Sequence, residues 1–239
     1  TCRLTDLAEI TFQSDDALLA NAAQRIQRAA LDGPGISWPV RTSTAANGIH
    51  LRVDASVADG RAQGSSLRIT PKAITVTGRD AAGAFYGALT LVQLLRQTRD
   101  TLPAGEIIDW PDYPTRGVML DVSRDKVPTM ETLFALVERL AEWKINRFEL
   151  YTEHTFAYRE HPEVWAKASP MTHEEIRLLD ATFANQQPVV SSDVQCAATP
   201  KFDLGVASEI DDVLIRARAD SIRMEQLAAI RHVSSLVAA

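Results

Sequence analysis

Arg116-Gly117-Val118-Met119-Leu120-Asp121-Val122-Ser123-Arg124 is the stretch from which the fold class is read. Val118-Met119-Leu120 is a nearly continuous apolar run, as expected of a strand buried on both faces, and charge arrives where it ends, at Asp121 and Arg124. Thr129 then predicts a helix cap, and Leu133, Leu136, Val137 and Leu140 fall on one buried stripe. The chain returns through a second strand, Ile145 to Thr152, which also runs into charge, at Glu153 and His154. Strand, helix and strand in this order predict a βαβ unit. In a parallel α/β barrel such strand ends form the face that carries the active site.

Further on, Thr172-His173-Glu174-Glu175 is a capping box, followed at helical spacing by Ile176, Leu179 and Phe183, so a second βα repeat is expected. After Asn185 the pattern fails. Residues 186–192 offer one short strand at best, and Ser208 to Ala239 reads as one or two helices with a solvated charged face. Upstream, Asp109-Trp110-Pro111-Asp112-Tyr113-Pro114 carries two prolines that forbid a helix, as at a domain boundary.

Before that boundary lies a block of strands and two helices, about residues 1–108. Leu7 to Gln13 predicts a strand, and Leu18, Leu19, Ala22, Ala23, Ile26 and Ala30 one face of a helix that Asp32-Gly33-Pro34-Gly35 stops. Ile49 to Asp54 alternates as a half-buried strand does. Ser66–Thr70 and Ala73–Thr77 repeat that alternation around Pro71-Lys72, a hairpin with Leu67, Ile69, Ile74 and Val76 on one core face. A long helix is expected from Arg79 to Arg99.

The 239 residues carry 25 Lys and Arg against 31 Asp and Glu, a net charge of −6 that disfavours nucleic acid and anionic membrane surfaces as partners. The most apolar window, Ala81 to Leu95, is broken by Gly83, Gly87 and Gln93, too early for a membrane span. Cys2 and Cys196 are far apart and outside any CxxC spacing, so two free thiols are expected. The start, Thr1-Cys2-Arg3, has no initiating Met and no signal-type pattern, and reads as a processed or trimmed end.

Two readings of Asp121 and Arg124 stand side by side: a buried ion pair that ties the strand to its neighbour, or a site at a strand end. Glu153-His154, next to Tyr151, is either an acid/base dyad in which the carboxylate fixes the imidazole tautomer or a surface hydrogen-bonded pair. His154, His161 and His173 lack metal-ligand spacing, so no metal is expected. Trp110, Trp143 and Trp165 are candidates for a sugar-stacking platform, with Trp143 more naturally a core residue of its helix. Gly83 and Gly87 have no phosphate-loop spacing and point to close helix packing. No GxSxG, GxxxxGK[ST] or HExxH is present, and no cofactor is expected.

The run from Ser66 to Gly78, followed by Ala82-Gly83-Ala84-Phe85-Tyr86-Gly87-Ala88-Leu89-Thr90-Leu91-Val92-Gln93-Leu94-Leu95, resembles the non-catalytic N-terminal domain of family 20 glycoside hydrolases, the β-N-acetylhexosaminidases. Ile108 to Arg124 resembles the first strand of that family's (β/α)₈ barrel, and Trp143-Lys144-Ile145-Asn146-Arg147-Phe148 its second strand. The resemblance covers about residues 45–183. It implies an α/β fold: a small α+β N-terminal domain, residues 1–108, then an incomplete (β/α) TIM-barrel-like domain with a helical tail, residues 115–239. The 125 residues after Pro114 are about half of the roughly 250 that a whole barrel takes. A homo-oligomer can cover the open sheet edges.

The same resemblance implies removal of terminal β-linked N-acetylhexosamine from a glycan by a substrate-assisted, retaining route without metal or cofactor. Arg124 then grips hydroxyls of the terminal sugar, with Asp121 and Trp165 as further substrate-binding residues and Glu153 and His154 as the catalytic pair. The family more often has two Asp where this chain has Glu153-His154. It also uses an Asp-Glu dipeptide, and no Asp here is followed by Glu. Cys196-Ala197-Ala198-Thr199-Pro200-Lys201-Phe202-Asp203-Leu204-Gly205 resembles the neighbourhood of that dipeptide with its acids missing. Glu153, Asp211 and Asp212 are the candidates for the acid. The competing reading is an inactive fragment that serves as a sugar-binding or assembly module.

Overall fold

The computed structural model describes residues 1–12, 16–42, 47–123 and 126–186, and the chain divides into two compact units, Thr1–Pro114 and Thr115–Ala239. The first unit opens with β1 (Cys2–Arg3), a 3-10 turn (Leu4–Asp6) and β2 (Ile10–Phe12), followed by α1 (Ala17–Asp32). Next come β3 (Val40–Arg41), β4 (Ile49–Val53), β5 (Ser65–Ile69), β6 (Ile74–Gly78) and α2 (Ala81–Gln97), and the unit closes with β7 (Thr101–Leu102) and β8 (Gly105–Asp109). A six-stranded sheet runs in the order β3-β2-β4-β6-β5-β8, parallel from β3 to β6 and antiparallel from there to β8. β1 pairs separately with β7.

The expected hairpin forms with Leu67 opposite Val76 and Ile69 opposite Ile74, and all four side chains are buried in the first core. Thr70 closes it, its N–H donating to the Ala73 carbonyl and its Oγ1 accepting the Ala73 N–H. α1 begins where the Asp16 carboxylate accepts the Leu18 N–H, and α2 where Asp80 accepts the Gly83 N–H. The Asp80 cap starts α2 two residues later than Arg79. α1 and α2 pack on each other and on the sheet. Gly83 and Gly87 serve that packing: a Cβ on Gly83 would lie 2.1 Å from the Gly64 carbonyl oxygen, and one on Gly87 2.8 Å from Val76 Cγ1.

Side chains that alternate away from the core make a polar face. Thr11 Oγ1 and His50 Nδ1 share a hydrogen bond of 2.8 Å, Arg52 donates to Thr77, and Glu106 accepts from Ser66 and Arg68. Burial holds the His50 imidazole below its ordinary value, opposed by nearby Glu9. The segment after β8 is fastened within this unit: the Arg61 guanidinium lies 3.9 Å from the Trp110 ring centroid, and Gln63 Nε2 donates to the Pro114 carbonyl.

The second unit contains β9 (Gly117–Asp121), α3 (Met130–Glu142), β10 (Arg147–Tyr151), the single turn α4 (Pro162–Trp165) and α5 (His173–Gln186). β9 and β10 pair in parallel, so strand, helix and strand form the expected βαβ unit. Thr129 caps α3, and Leu133, Val137 and Leu140 join Phe148, Leu150, Ile176, Leu179 and Phe183 in a second core. The capping box before α5 is formed in full: Glu175 Oε2 accepts the Thr172 N–H and Thr172 Oγ1 accepts the Glu175 N–H.

Two burial expectations are corrected. β9 is not covered on both faces: Met119 is 61% exposed and Val118 37%, and successive side chains of a strand point to opposite faces, so neither face is sealed by a packed layer. Trp143 is not core but 63% exposed, because α3 ends at Glu142 and Lys144 takes a left-handed turn at φ 60°. The expected short strand and helices beyond Gln186, with Cys196, lie outside the described residues; Cys2 is a buried free thiol, pushed up chiefly by burial.

Candidate functional site

The strand ends of the second unit follow from alternation. Phe148 and Leu150 are buried in the core, which places Arg147, Glu149 and Tyr151 on the opposite face of β10. Arg147 and Glu149 pair there at 2.5 Å. In register, Glu149 stands beside Met119 and Tyr151 beside Asp121, so the last rung of the parallel pair joins an acid to a phenol. The Val122 N–H extends the ladder one step by donating to the Tyr151 carbonyl.

Past that rung both chains turn within two residues. Asp121, exposed, accepts the Ser123 N–H at 2.8 Å and its hydroxyl at 2.6 Å, a local turn leading to Arg124. Arg124 itself lies outside the described residues, as do Asp211 and Asp212. On the other strand the Tyr151 hydroxyl donates to Glu153 Oε1 at 3.0 Å. The structure thus brings Asp121, Tyr151 and Glu153 to one strand end. His154 is exposed, and the Glu153 carboxylate is held by Tyr151 rather than by the imidazole.

The loop after Glu153 is closed by its own side chains. The buried Tyr158 donates to the Glu153 carbonyl at 2.9 Å, and half-buried Trp165 donates through Nε1 to the Tyr158 carbonyl at 2.8 Å. Met171 clips the middle of the loop, its N–H donating to the Thr155 carbonyl and its carbonyl accepting the Ala157 N–H. Phe156 then packs edge-on against His173, with ring centroids 4.6 Å apart. His161 instead meets Glu163 at 3.3 Å, so the three histidines do not converge. Among the described residues no group of three His, Cys, Asp or Glu side chains is placed to hold a metal ion.

Tyr158 and Asp180 escape sequence reasoning. Tyr158 acts across five residues of irregular loop, where no periodicity marks it. Asp180 interrupts the apolar positions of α5, and burial pushes its carboxyl up to about 6.

Residues 1–110 match glycosyl hydrolase family 20, domain 2. A beta-hexosaminidase of Porphyromonas gingivalis is 34% identical over 122 residues, 47% of this chain and 15% of that relative's length. A Flavobacterium johnsoniae chitobiase structure shares the fold at TM-score 0.63 and 20% identity, over 77% of this chain and 31% of its own. A mutant Streptomyces plicatus beta-hexosaminidase in complex with product (GlcNAc) is 25% identical at TM-score 0.59, over 77% of this chain and 41% of its own. The chain therefore spans well under half of each of these relatives. The domain match over residues 1–110, the beta-hexosaminidase relatives similar to this sequence and the shared fold together support a place for this partial chain in glycosyl hydrolase family 20.

Proposed function

We propose that the chain belongs to a glycoside hydrolase that removes terminal β-linked N-acetylhexosamine from glycans, with its second unit the opening part of a (β/α) barrel. The observation that carries this reading is the strand end of β9 and β10, where Asp121 is the register partner of Tyr151 and Tyr151 holds Glu153, in a chain similar to beta-hexosaminidases. The substrate class is drawn from the names of those relatives and the GlcNAc product held by one of them.

In the proposed reaction the 2-acetamido oxygen of the sugar bonds to the anomeric carbon as the glycosidic C–O bond breaks. The bonding pair goes to the leaving oxygen, which takes a proton; water then opens the oxazolinium intermediate with retention. A carboxyl group must supply that proton. With Tyr151 donating to Oε1, Oε2 of Glu153 is the oxygen that can carry and deliver it. His154, exposed at the next position, is the second proton-transfer group of this reading. Asp121 and Trp165 bind the sugar with Arg124, whose guanidinium matches two neighbouring hydroxyls.

Release of p-nitrophenol from p-nitrophenyl N-acetyl-β-glucosaminide tests the proposal. Turnover is expected in the parent and lost in Arg124→Ala and Glu153→Gln; no turnover in the parent, or turnover unchanged in both variants, overturns it.

A further inference from the structure

We infer that Tyr158 is a positioning residue for Glu153: its buried phenol fixes the Glu153 backbone so that the carboxylate stays at the end of β10. The inference rests on the reading of Glu153 as a site residue and names the group that holds it there.

Residues 153–158 leave the strand with the isolated Phe156–Met171 bridge as their one ladder pairing among the described residues, and unpaired backbone groups next to a core are costly. Here they are paired from inside the loop. The Glu153 carbonyl accepts from Tyr158 Oη, that of Thr155 from the Met171 N–H, that of Phe156 from the Tyr158 N–H, and that of Tyr158 from Trp165 Nε1. Tyr158 is 3% exposed and its ring meets Phe156 edge-on at 5.0 Å, so the phenol is anchored by packing before it donates.

The consequence falls on one residue. Glu153 is held at its backbone by Tyr158 and at its carboxylate by Tyr151, two phenols from opposite sides in sequence. A flexible carboxylate at a strand end is thereby confined before any ligand arrives, which is how a supporting group makes a site precise. Trp165 extends the hold by one further bond.

The test uses the full chain labelled with ¹³C-glutamate, as parent, Tyr158→Phe, Glu153→Gln and the double variant. The Glu153 carboxyl resonance is assigned by its loss in Glu153→Gln. Tyr158→Phe keeps the ring and removes only the donor; it is expected to shift or broaden that resonance and to weaken N-acetylglucosamine binding about threefold to tenfold. In the Glu153→Gln background it should weaken binding no further, a coupling that a merely structural tyrosine would not show. An unchanged Glu153 resonance, or equal weakening in both backgrounds, overturns the inference. If Tyr158→Phe does not fold, Trp165→Phe is read instead, and an unmoved Glu153 resonance overturns it. A parent that binds no N-acetylglucosamine removes the proposed function, while the resonance still decides the positioning.

Discussion

Asp121 and Tyr151 are register partners on the last rung of the β9–β10 pair. From that rung each chain turns on a side-chain hydrogen bond two residues long, Asp121 taking Ser123 and Tyr151 giving to Glu153. Asp121→Ala is expected to cost about 1 kcal/mol in urea unfolding, whereas Asp121→Asn, which keeps the Oδ1 acceptor, costs less than half of that. Equal costs would show that the carboxylate charge, not the turn, matters.

The first unit depends on close approach of α2 to the turn before β5. Gly83→Ala places a methyl carbon 2.1 Å from the Gly64 carbonyl oxygen, a backbone atom with little freedom to yield. The expected loss is about 3 kcal/mol or more. Gly105→Ala, at a position where an added Cβ meets nothing within 4 Å, should stay within about 0.5 kcal/mol. Chemical unfolding of the two variants side by side checks the contrast.

How much of this could be read from the sequence depends on whether a residue's role is periodic. Leu67, Ile69, Ile74 and Val76 alternate, and their hairpin with one shared core face was legible; the structure adds its register. Thr172 and Glu175 were legible because a capping box needs only local spacing. β8 was hidden: Ile107 and Ile108 break alternation, and both are exposed on an edge strand. β1 and β7, two residues each, are too short to carry a period. Val118-Met119-Leu120 showed a strand but not how many layers cover it. Trp143 lies three residues past Leu140, on the stripe by spacing, yet the helix ends before it. The contacts at Glu153 are loop hydrogen bonds, which leave no pattern in composition.

The capping box also predicts an asymmetry. Thr172→Ala removes the acceptor of the Glu175 N–H and should lower stability by about 1 kcal/mol. Glu175→Gln retains an oxygen for the Thr172 N–H and should change stability by only a few tenths of a kcal/mol. Thermal melts of both variants test this, and comparable losses would show that charge near the α5 N-terminus outweighs the hydrogen bonds.

Asp180 supplies a pH dependence whose sign is fixed by its burial. Its carboxyl is pushed from the ordinary 3.8 up to about 6 in the folded chain, so between those values the folded state holds a proton that the unfolded state has lost. Stability contributed by this group is therefore present at low pH and declines as pH rises from about 3.8 to about 6, where the half-buried carboxyl ionises. Asp180→Asn removes the ionisation and keeps the side-chain volume. The variant should melt near the parent at pH 4 and clearly above it at pH 7.5, with the gain growing between those values and level beyond. A gain that is the same at both pH values would assign it to packing on α5, and a loss at pH 7.5 would mean that the ionised carboxylate has a stabilising partner.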